Sequence, residues 1–442
     1  MILPMPGRGF APWARAVGAL LLLLACGGGT SEPPPPGSPA PLRLKISGKH
    51  LLGPDGRPVL LHGANLRDNL VGGGQSSPMV TAEEAADLAL QLRFNFVRLR
   101  MSFEQGNRDD ADPSGLSLAF RQELLASVEL LRAQRIWILL EMRTDDETAN
   151  HAPLYDPASP EFASYKKAWL WIARTFRTTD WIAGYGLLAE PSPDKAGLDP
   201  VPALIGFQSA LMEAITGEDA RTPFFVGPAY NYDTLGYRWD AYQTDPRLAA
   251  YRGRLVYEVN LLMPKPWIVD GSVPTGVPVE AGIWPQASGG DFEALLQVAP
   301  GETFVRPRDD ERIFTKRRQE AATFPLLMTR GFPAWYLGFA QAFADRHQVP
   351  LVMDQFGAST TVNTAAHPDQ QLAYEQAVIE AAEAAGMGWC RWIYSGHPLD
   401  RSIAGNPAVH DFYARVGAIR QGPGEIRPVG SCPAPGAPPP RP

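Results

Sequence analysis

The chain has 442 residues, of which 45% are hydrophobic and 20% charged, a composition typical of a globular protein with a large core. Its formal net charge is −7, and no basic cluster is large enough to follow a phosphate backbone, which argues against a nucleic-acid partner. The three cysteines are too few for a disulfide framework. No cysteine and histidine cluster has zinc-ligand spacing, so we expect no metal and no cofactor.

The amino-terminal segment has the pattern of an export signal. Arg8 and Arg15 precede or flank a short apolar run, residues 16–25, that is too short to span a bilayer as a helix. The run ends at Cys26 within Leu-Leu-Ala-Cys, which resembles a bacterial lipobox, and Gly27 favours the outer membrane by resemblance to known sorting patterns. We therefore expect a secreted lipoprotein of the outer membrane or cell surface, anchored in the membrane by lipid on Cys26. The alternative is an ordinary signal peptide with an incidental cysteine.

Shifts in composition predict the domain organisation. Residues 1–25 are the signal peptide, and residues 26–41 are a proline-rich segment expected to act as an extended tether. Residues 428–442 are again rich in proline and glycine and are expected to be disordered. Residues 42–427 between them have the length of one barrel-sized domain.

Strand-like and helix-like runs alternate through this domain. Residues 42–52, which precede a Gly-Pro-Asp-Gly turn signal, predict a small amino-terminal hairpin. Strands are predicted at residues 59–64, 94–100, 136–142, 182–190, 223–227, 254–260, 349–355 and 388–394. Helices are predicted at residues 81–92, 116–133, 163–176, 201–215, 335–347, 370–385 and 408–419, and the first begins with the capping-box pattern of Thr81 and Glu84.

This alternation predicts an α/β fold in which eight parallel strands close into a (β/α)8 TIM barrel. An open doubly wound sheet is the alternative, but no Gly-x-Gly-x-x-Gly follows the first strand. Residues 261–318, after the sixth strand, form an unusually long connection that carries Trp267 and Trp284. This connection is either a solvated insertion or a wall or lid of a binding cleft.

Six segments in chain order carry further motifs. They read Gly-Pro-Asp-Gly-Arg-Pro-Val-Leu-Leu-His-Gly-Ala-Asn-Leu at 53–66, Phe-Asn-Phe-Val-Arg-Leu at 94–99, Tyr-Gly-Leu-Leu-Ala-Glu-Pro at 185–191, Tyr-Glu-Val-Asn at 257–260, Pro-Leu-Val-Met-Asp-Gln-Phe-Gly-Ala at 350–358 and Gly-Trp-Cys-Arg-Trp at 388–392. Together these segments resemble glycoside hydrolase family 5, a cellulase-like family of (β/α)8 barrels, over about residues 42–419. The resemblance implies a polysaccharide or oligosaccharide as the partner.

The family's chemistry uses two carboxylates at the ends of different strands, an acid/base and a nucleophile. The resemblance implies that Glu190 is the acid/base, but it places Gln355 at the nucleophile position, where a neutral amide cannot form a glycosyl ester. Ala189 and Asn260 stand where the family has asparagine and histidine. Whether the protein is an active glycoside hydrolase or a degenerate one therefore stays open.

The resemblance also implies residues that contact the sugar. These are Arg98, Asn260 and Trp392, joined by Trp267 from the long connection. Each of two residues has an alternative interpretation without a sugar contact. Arg98 would then be a structural ion-pair partner inside the barrel mouth, and Trp392 would be a core residue.

Other carboxylates lie near the predicted mouth. Asp354 precedes Gln355, and because successive residues of a strand face opposite sides, Asp354 is expected to face the helices. Asp145, Asp146 and Glu147 follow the third strand, where one of them would activate water in an inverting mechanism unless the loop is simply a solvated acidic one.

Three functions remain open at this stage. The first is a carbohydrate-binding surface protein that has lost its nucleophile. The second is an active glycosidase with an altered mechanism that uses Glu190 and another carboxylate. The third is a surface scaffold with no carbohydrate ligand, since a fold alone does not fix a function.

We predict that Cys26 carries the lipid anchor. Metabolic labelling with a fatty-acid analogue is expected to mark the wild-type chain and to leave Cys26→Ser unlabelled, because the thiol is the acylated group. Equal labelling of the two chains would show that the lipobox is incidental.

Overall fold

The computed structural model describes residues 40–66, 80–103, 107–144, 152–229, 233–238, 240–287, 290–297, 313–395 and 402–420. The predicted signal peptide, Cys26, nearly all of the tether and the proline-rich tail lie outside these residues, as do Asp145, Asp146 and Glu147. Within the described ranges, no helix is both long enough and apolar enough to cross a membrane.

Eight parallel strands close into a barrel, as predicted. With the three strands of a small amino-terminal sheet counted first as β1 (Lys45–Ser47), β2 (His50–Leu52) and β3 (Pro58–Val59), the barrel strands are β4 (His62–Asn65), β5 (Phe96–Ser102), β6 (Trp137–Arg143), β7 (Ile182–Gly186), β8 (Phe224–Val226), β9 (Leu255–Leu261), β10 (Leu351–Phe356) and β11 (Gly388–Arg391). Neighbouring strands pair in chain order, and β11 returns to pair with β4. The fold is therefore a (β/α)8 barrel.

Helices surround the barrel and cover its outer face. They are α1 (Ala82–Ala86), α2 (Leu118–Ala133), α3 (Ala152–Tyr155), α4 (Pro160–Phe176), α5 (Pro200–Glu218), α6 (Ala241–Thr244), α7 (Lys265–Asp270), α8 (Phe324–Leu327), α9 (Phe332–His347), α10 (Gln370–Ala384) and α11 (Pro407–Ala418). The first begins at Thr81 with the predicted capping box, in which the side chains of Thr81 and Glu84 each bond the other's backbone amide.

Two predicted strand boundaries were wrong. Residues 59–64 are not one strand, because Val59 ends β3 of the small antiparallel sheet and the barrel strand β4 begins only at His62. The predicted hairpin is accordingly part of a three-stranded sheet. The fourth barrel strand ends at Gly186, so that Glu190 lies on the loop beyond it.

The inside of the barrel changes from apolar to charged along its axis. Leu51 and Val59 of the small sheet belong to the same buried apolar cluster as Phe96, Val256 and Val352 of the barrel strands. The small sheet therefore closes the amino-terminal end of the barrel. Farther toward the carboxyl ends of the strands, the inward positions carry charged side chains. These charged side chains lie next to the candidate site at that end.

The turns that lead into the strands share one backbone feature. Arg93, Arg135, Trp181, Gln348 and Gly386 have φ between +53° and +70°, and each lies one to three positions before the first residue of a strand. A left-handed residue of this kind commonly ends a helix before the chain turns. These five residues lie at the end of the barrel where the strands begin.

Candidate functional site

Arg98 lies at the centre of the charged layer inside the barrel. Its guanidinium pairs with Glu141 of β6 and, at 2.8 Å, with Asp354 of β10, and all three side chains are fully buried. Arg98 also donates to the Asn65 side chain at 2.9 Å. These contacts join β4, β5, β6 and β10, so that strands from opposite sides of the barrel are held by one side chain.

The orientation predicted for Asp354 is wrong. The pairing of β10 with both neighbouring strands shifts register just after Met353, which is the mark of a β-bulge. The bulge breaks the alternation of side chains, so the Asp354 carboxylate reaches Arg98 inside the barrel while Gln355, the next residue, lines the cavity above it. Asp354 is nevertheless fully buried and does not line the cavity.

Three carboxylates belong to this layer. Among the described residues, they are the group whose oxygen atoms lie close enough together to hold a metal ion. Oxygen atoms of Glu141, Glu258 and Asp354 lie within 4.8 Å of one another. Arg98 pairs with two of the three, and the negative charges of all three raise the pKa of its guanidinium against the effect of burial. Arg98 therefore supplies positive charge within this cluster and offsets part of its negative charge.

Burial raises the pKa of Asp354 to about 8, and the carboxylates of Glu141 and Glu190 act in the same direction while Arg98 opposes them. The folded chain therefore holds a proton at Asp354 up to a higher pH than the unfolded chain does.

Above this layer, at the carboxyl ends of the strands, lies a cavity of about 190 Å³. Its wall includes Arg100 of β5, Arg143 of β6, Glu190, Gln355 and Trp392. The long connection after β9 supplies the opposite wall through Leu262 and α7, in particular Lys265, Ile268 and Val269. The connection therefore forms part of a cleft, at the end of the barrel where active sites of this fold are built.

Glu190 is held at the mouth by an unusual backbone conformation. Its φ is +51°, in the left-handed region of backbone conformation that residues other than glycine seldom adopt. The Oε1 atom of its side chain accepts a hydrogen bond of 3.3 Å from Asn260 of β9, and the Gln355 amide lies beside it. The side chain is 25% exposed and faces the cavity.

Three arginines set the charge state of Glu190. Burial alone would raise the pKa of Glu190, but the guanidinium groups of Arg100, Arg143 and Arg98 outweigh burial and lower it below the ordinary value for glutamate. Arg100 is the nearest of them to the carboxylate, at 3.8 Å. Glu190 is therefore ionised at neutral pH.

The structure places the residues predicted to contact sugar in different surroundings. Trp392 lines the cavity and has the Arg100 guanidinium 4.7 Å from its ring centroid. Asn260 reaches the site through its bond to Glu190. The prediction for Arg98 is wrong, because its buried side chain lies below the cavity as the structural ion pair that was the alternative.

The prediction for Trp267 is also wrong. Its side chain is 2% exposed, and its indole nitrogen donates to the Gly282 carbonyl at 2.7 Å. The ring packs edge-on against Tyr374 and beside Trp284, which is buried as well. These two tryptophans therefore anchor the long connection to the body of the domain.

Three basic residues of the site, Arg100, Arg143 and Lys265, lie outside the residues predicted from the sequence motifs. Arg100 and Arg143 each lie two residues beyond an inward-facing residue, Arg98 and Glu141, so the period of two in a strand would have identified both. Lys265 gave no such signal, because its place on the wall depends on how the long connection folds back.

Comparison with known proteins identifies the fold. The sequence matches no protein-family model and no curated protein. Among solved structures, the chain is similar to the cellulose synthase subunit Z of Clostridioides difficile, with a TM-score of 0.56 and 14% identity over 82% of this chain and 100% of that one. It is similar to a β-glucanase of Saccharophagus degradans, with a TM-score of 0.54 and 12% identity over 86% and 94% of the two chains.

A third similar structure is the catalytic domain of an endoglucanase from Thermobifida fusca, solved as a glutamate-to-glutamine variant in complex with cellotetraose. Its TM-score is 0.52, with 15% identity over 85% of this chain and 97% of that one. The chain thus has a (β/α)8 barrel like that of the family 5 cellulases. Identities this low establish the shared fold and leave the activity to the residues of the site.

The protonated Asp354 predicts that stability depends on pH. The folded state keeps a proton that the unfolded chain loses, so the free energy of unfolding falls as the pH rises toward 8 and levels off above it. Between pH 6 and 8 we expect Asp354 to contribute a fall of roughly 2 kcal/mol. Asp354→Asn, which mimics the protonated carboxyl group, should remove that fall in urea unfolding curves.

The matched control is Asp411→Asn, which changes an exposed carboxylate of α11. It should follow the wild-type pH dependence. If Asp354→Asn also followed the wild type at every pH, the proton would reside elsewhere.

Proposed function

We propose that this protein binds an oligosaccharide or polysaccharide at the mouth of its barrel and does not hydrolyse it by the retaining mechanism. The observation that carries this proposal is the pairing of Glu190 with Gln355 in the cavity wall, where retaining hydrolysis needs two carboxylates. Glu190 is the only carboxylate among the described residues that line this cavity.

The first chemical step of retaining hydrolysis lacks both groups that it requires. The glutamine amide is neutral and cannot attack an anomeric carbon to form a covalent intermediate. The first step also needs an acid that protonates the leaving oxygen, and such an acid has a raised pKa. The arginines lower the pKa of Glu190 instead, so the carboxylate has no proton to give at neutral pH.

The same cavity keeps features that suit a sugar. Trp392 is partly exposed in its wall and offers an apolar ring surface to the C–H face of a sugar ring. Glu190, Gln355 and the basic side chains provide acceptors and donors for hydroxyl groups around it. An aromatic surface ringed by polar groups is the usual composition of a small-molecule site.

Two of the similar proteins support a carbohydrate ligand. The Thermobifida fusca endoglucanase variant holds cellotetraose with glutamine in place of a glutamate, and the Saccharophagus degradans β-glucanase has also been solved with cellotetraose. In a barrel of this fold, replacing a glutamate by glutamine is thus compatible with oligosaccharide binding. The predicted lipid on Cys26 would place such a binding site at the outer membrane or cell surface.

We predict that the wild-type protein releases no product from activated aryl glycosides. Gln355→Glu alone should restore little activity, because the arginines still hold Glu190 in its ionised form and catalytic groups that act together are strongly non-additive. Gln355→Glu combined with Ala189→Asn and Asn260→His should be more active. The measurement is release of the chromogenic aglycone by the wild type and both variants.

Glu190→Gln is the control for this assay. Robust wild-type turnover that this variant abolishes would overturn the proposal and establish an active glycosidase with an altered mechanism. Turnover that survives in Glu190→Gln would instead point to a contaminating enzyme.

We predict that Trp392→Ala weakens glycan binding roughly tenfold or more, the usual loss when a tryptophan at the centre of a binding site is truncated. Ligands are first found on a glycan array and then measured by calorimetry. Trp171→Ala is the matched control, since Trp171 is a partly exposed tryptophan of α4 that does not line the cavity. Equal affinities for the wild type and Trp392→Ala would exclude Trp392 as the sugar platform.

A further inference from the structure

The cavity at the mouth adjoins a second one. The second cavity, of about 310 Å³, is lined by residues of α7 and by Pro274, Arg318 and Gln319 of the long connection. Lys265 and Val269 line both cavities, so the two share one wall. A ligand that fills both must be longer than a single sugar unit.

Basic side chains predominate on the walls of this combined cleft. Arg100, Arg143 and Lys265 line the first cavity, and Lys265 and Arg318 line the second. Against these four cations, the described lining residues include two carboxylates, Glu190 and Asp270. This balance contrasts with the whole chain, whose net charge is −7.

Lys265 is the cation best placed to contact a ligand in either cavity, because it lines both of them. It is exposed, it lies at the start of α7 between the two cavities, and it forms no salt bridge with any described residue. Arg318 likewise has no carboxylate partner in the described part of the chain, and its guanidinium contacts the sulfur of Met263 at 3.1 Å. Neither positive charge is neutralised by the fold as described.

We propose that the two cavities form one cleft for an acidic oligosaccharide, in which Lys265, Arg143 and Arg318 bind carboxylate or sulfate groups of successive sugar units. This inference rests on the proposed carbohydrate-binding function and names the class of glycan. Arginine and lysine side chains recognise both kinds of anion, so the shared chemistry is a regularly spaced negative charge on the sugar chain. Glu190 and Asp270 remain to accept hydrogen bonds from hydroxyl groups.

A neutral glucan would leave this cleft poorly matched. Its hydroxyl groups can bond arginine and lysine, but they bring no charge to offset the excess of two cations that a bound chain would shield from water. An acidic chain replaces the lost hydration with ion pairs and is attracted to the cleft from a distance. Affinity for such a chain should therefore fall with added salt, whereas affinity for a neutral chain should not.

The test compares three tetrasaccharides of one backbone by calorimetry with the full-length protein. They are cellotetraose, its derivative oxidised to the carboxylate at each C6, and sulfated cellotetraose. We expect one or both acidic ligands to bind at least tenfold more tightly than cellotetraose at low ionic strength. The stronger of the two identifies the anion as carboxylate or sulfate.

Lys265→Glu tests the wall itself. It should weaken acidic-ligand binding about tenfold and weaken cellotetraose binding much less, because the neutral ligand loses a hydrogen bond at most and no ion pair. The matched control is Lys316→Glu, which reverses an exposed lysine of the same connection that lines neither cavity and should change neither affinity. Thermal melting of both variants at the wild-type temperature establishes that each is folded.

The outcomes separate this inference from the function on which it rests. Equal or tighter binding of cellotetraose, or equal effects of Lys265→Glu and Lys316→Glu, would overturn the acidic-ligand inference while leaving carbohydrate binding intact. Failure of all three tetrasaccharides, and of every other glycan on an array, to bind would overturn both.

Discussion

The contact between Arg98 and its two carboxylate partners is the constraint on which the site depends. A guanidinium and two carboxyl groups are enclosed here without exposure to water, an arrangement that is tolerable only when the charges are paired. Removing Arg98 would leave Glu141, Glu258 and Asp354 facing one another in the barrel interior. The ion pairs join β5 to β6 and to β10, so they also constrain the positions of these strands around the barrel axis.

The charges at the mouth follow from this buried layer. Each residue two positions farther along β5 and β6 faces the same way, so Arg100 and Arg143 stand above Arg98 and Glu141. The positive charge of the two arginines then lowers the pKa of Glu190 from above, and Arg98 adds to it from below. Glu190 is thus held in its ionised form by the cations around it, which is the opposite of the charge state that a proton donor needs.

Much of the fold could be predicted from the sequence, because buried parallel strands read as apolar runs and the motifs occur in barrel order. The position of Asp354 could not, since the bulge exists only in the register of β10 against both neighbours. Trp267 was misplaced for a similar reason, because the carbonyl that its indole bonds lies 15 residues away on a connection with no regular pattern. The inward orientation of Arg100 and Arg143 could have been predicted, because side chains alternate between the two faces of a strand.

The left-handed backbone at Glu190 has a cost in stability. A residue other than glycine that adopts the left-handed region loses of order 1–3 kcal/mol of folding stability, and glycine would relieve most of that loss. At the opposite end of the barrel, Gln348 has this conformation where it ends a helix, but the loop after β7 ends no helix. Replacing Glu190 by glycine would relieve this strain but would remove the carboxylate from the wall of the cavity. The chain thus carries a cost in stability at the residue that faces the candidate ligand, and strained backbone is typical of such sites.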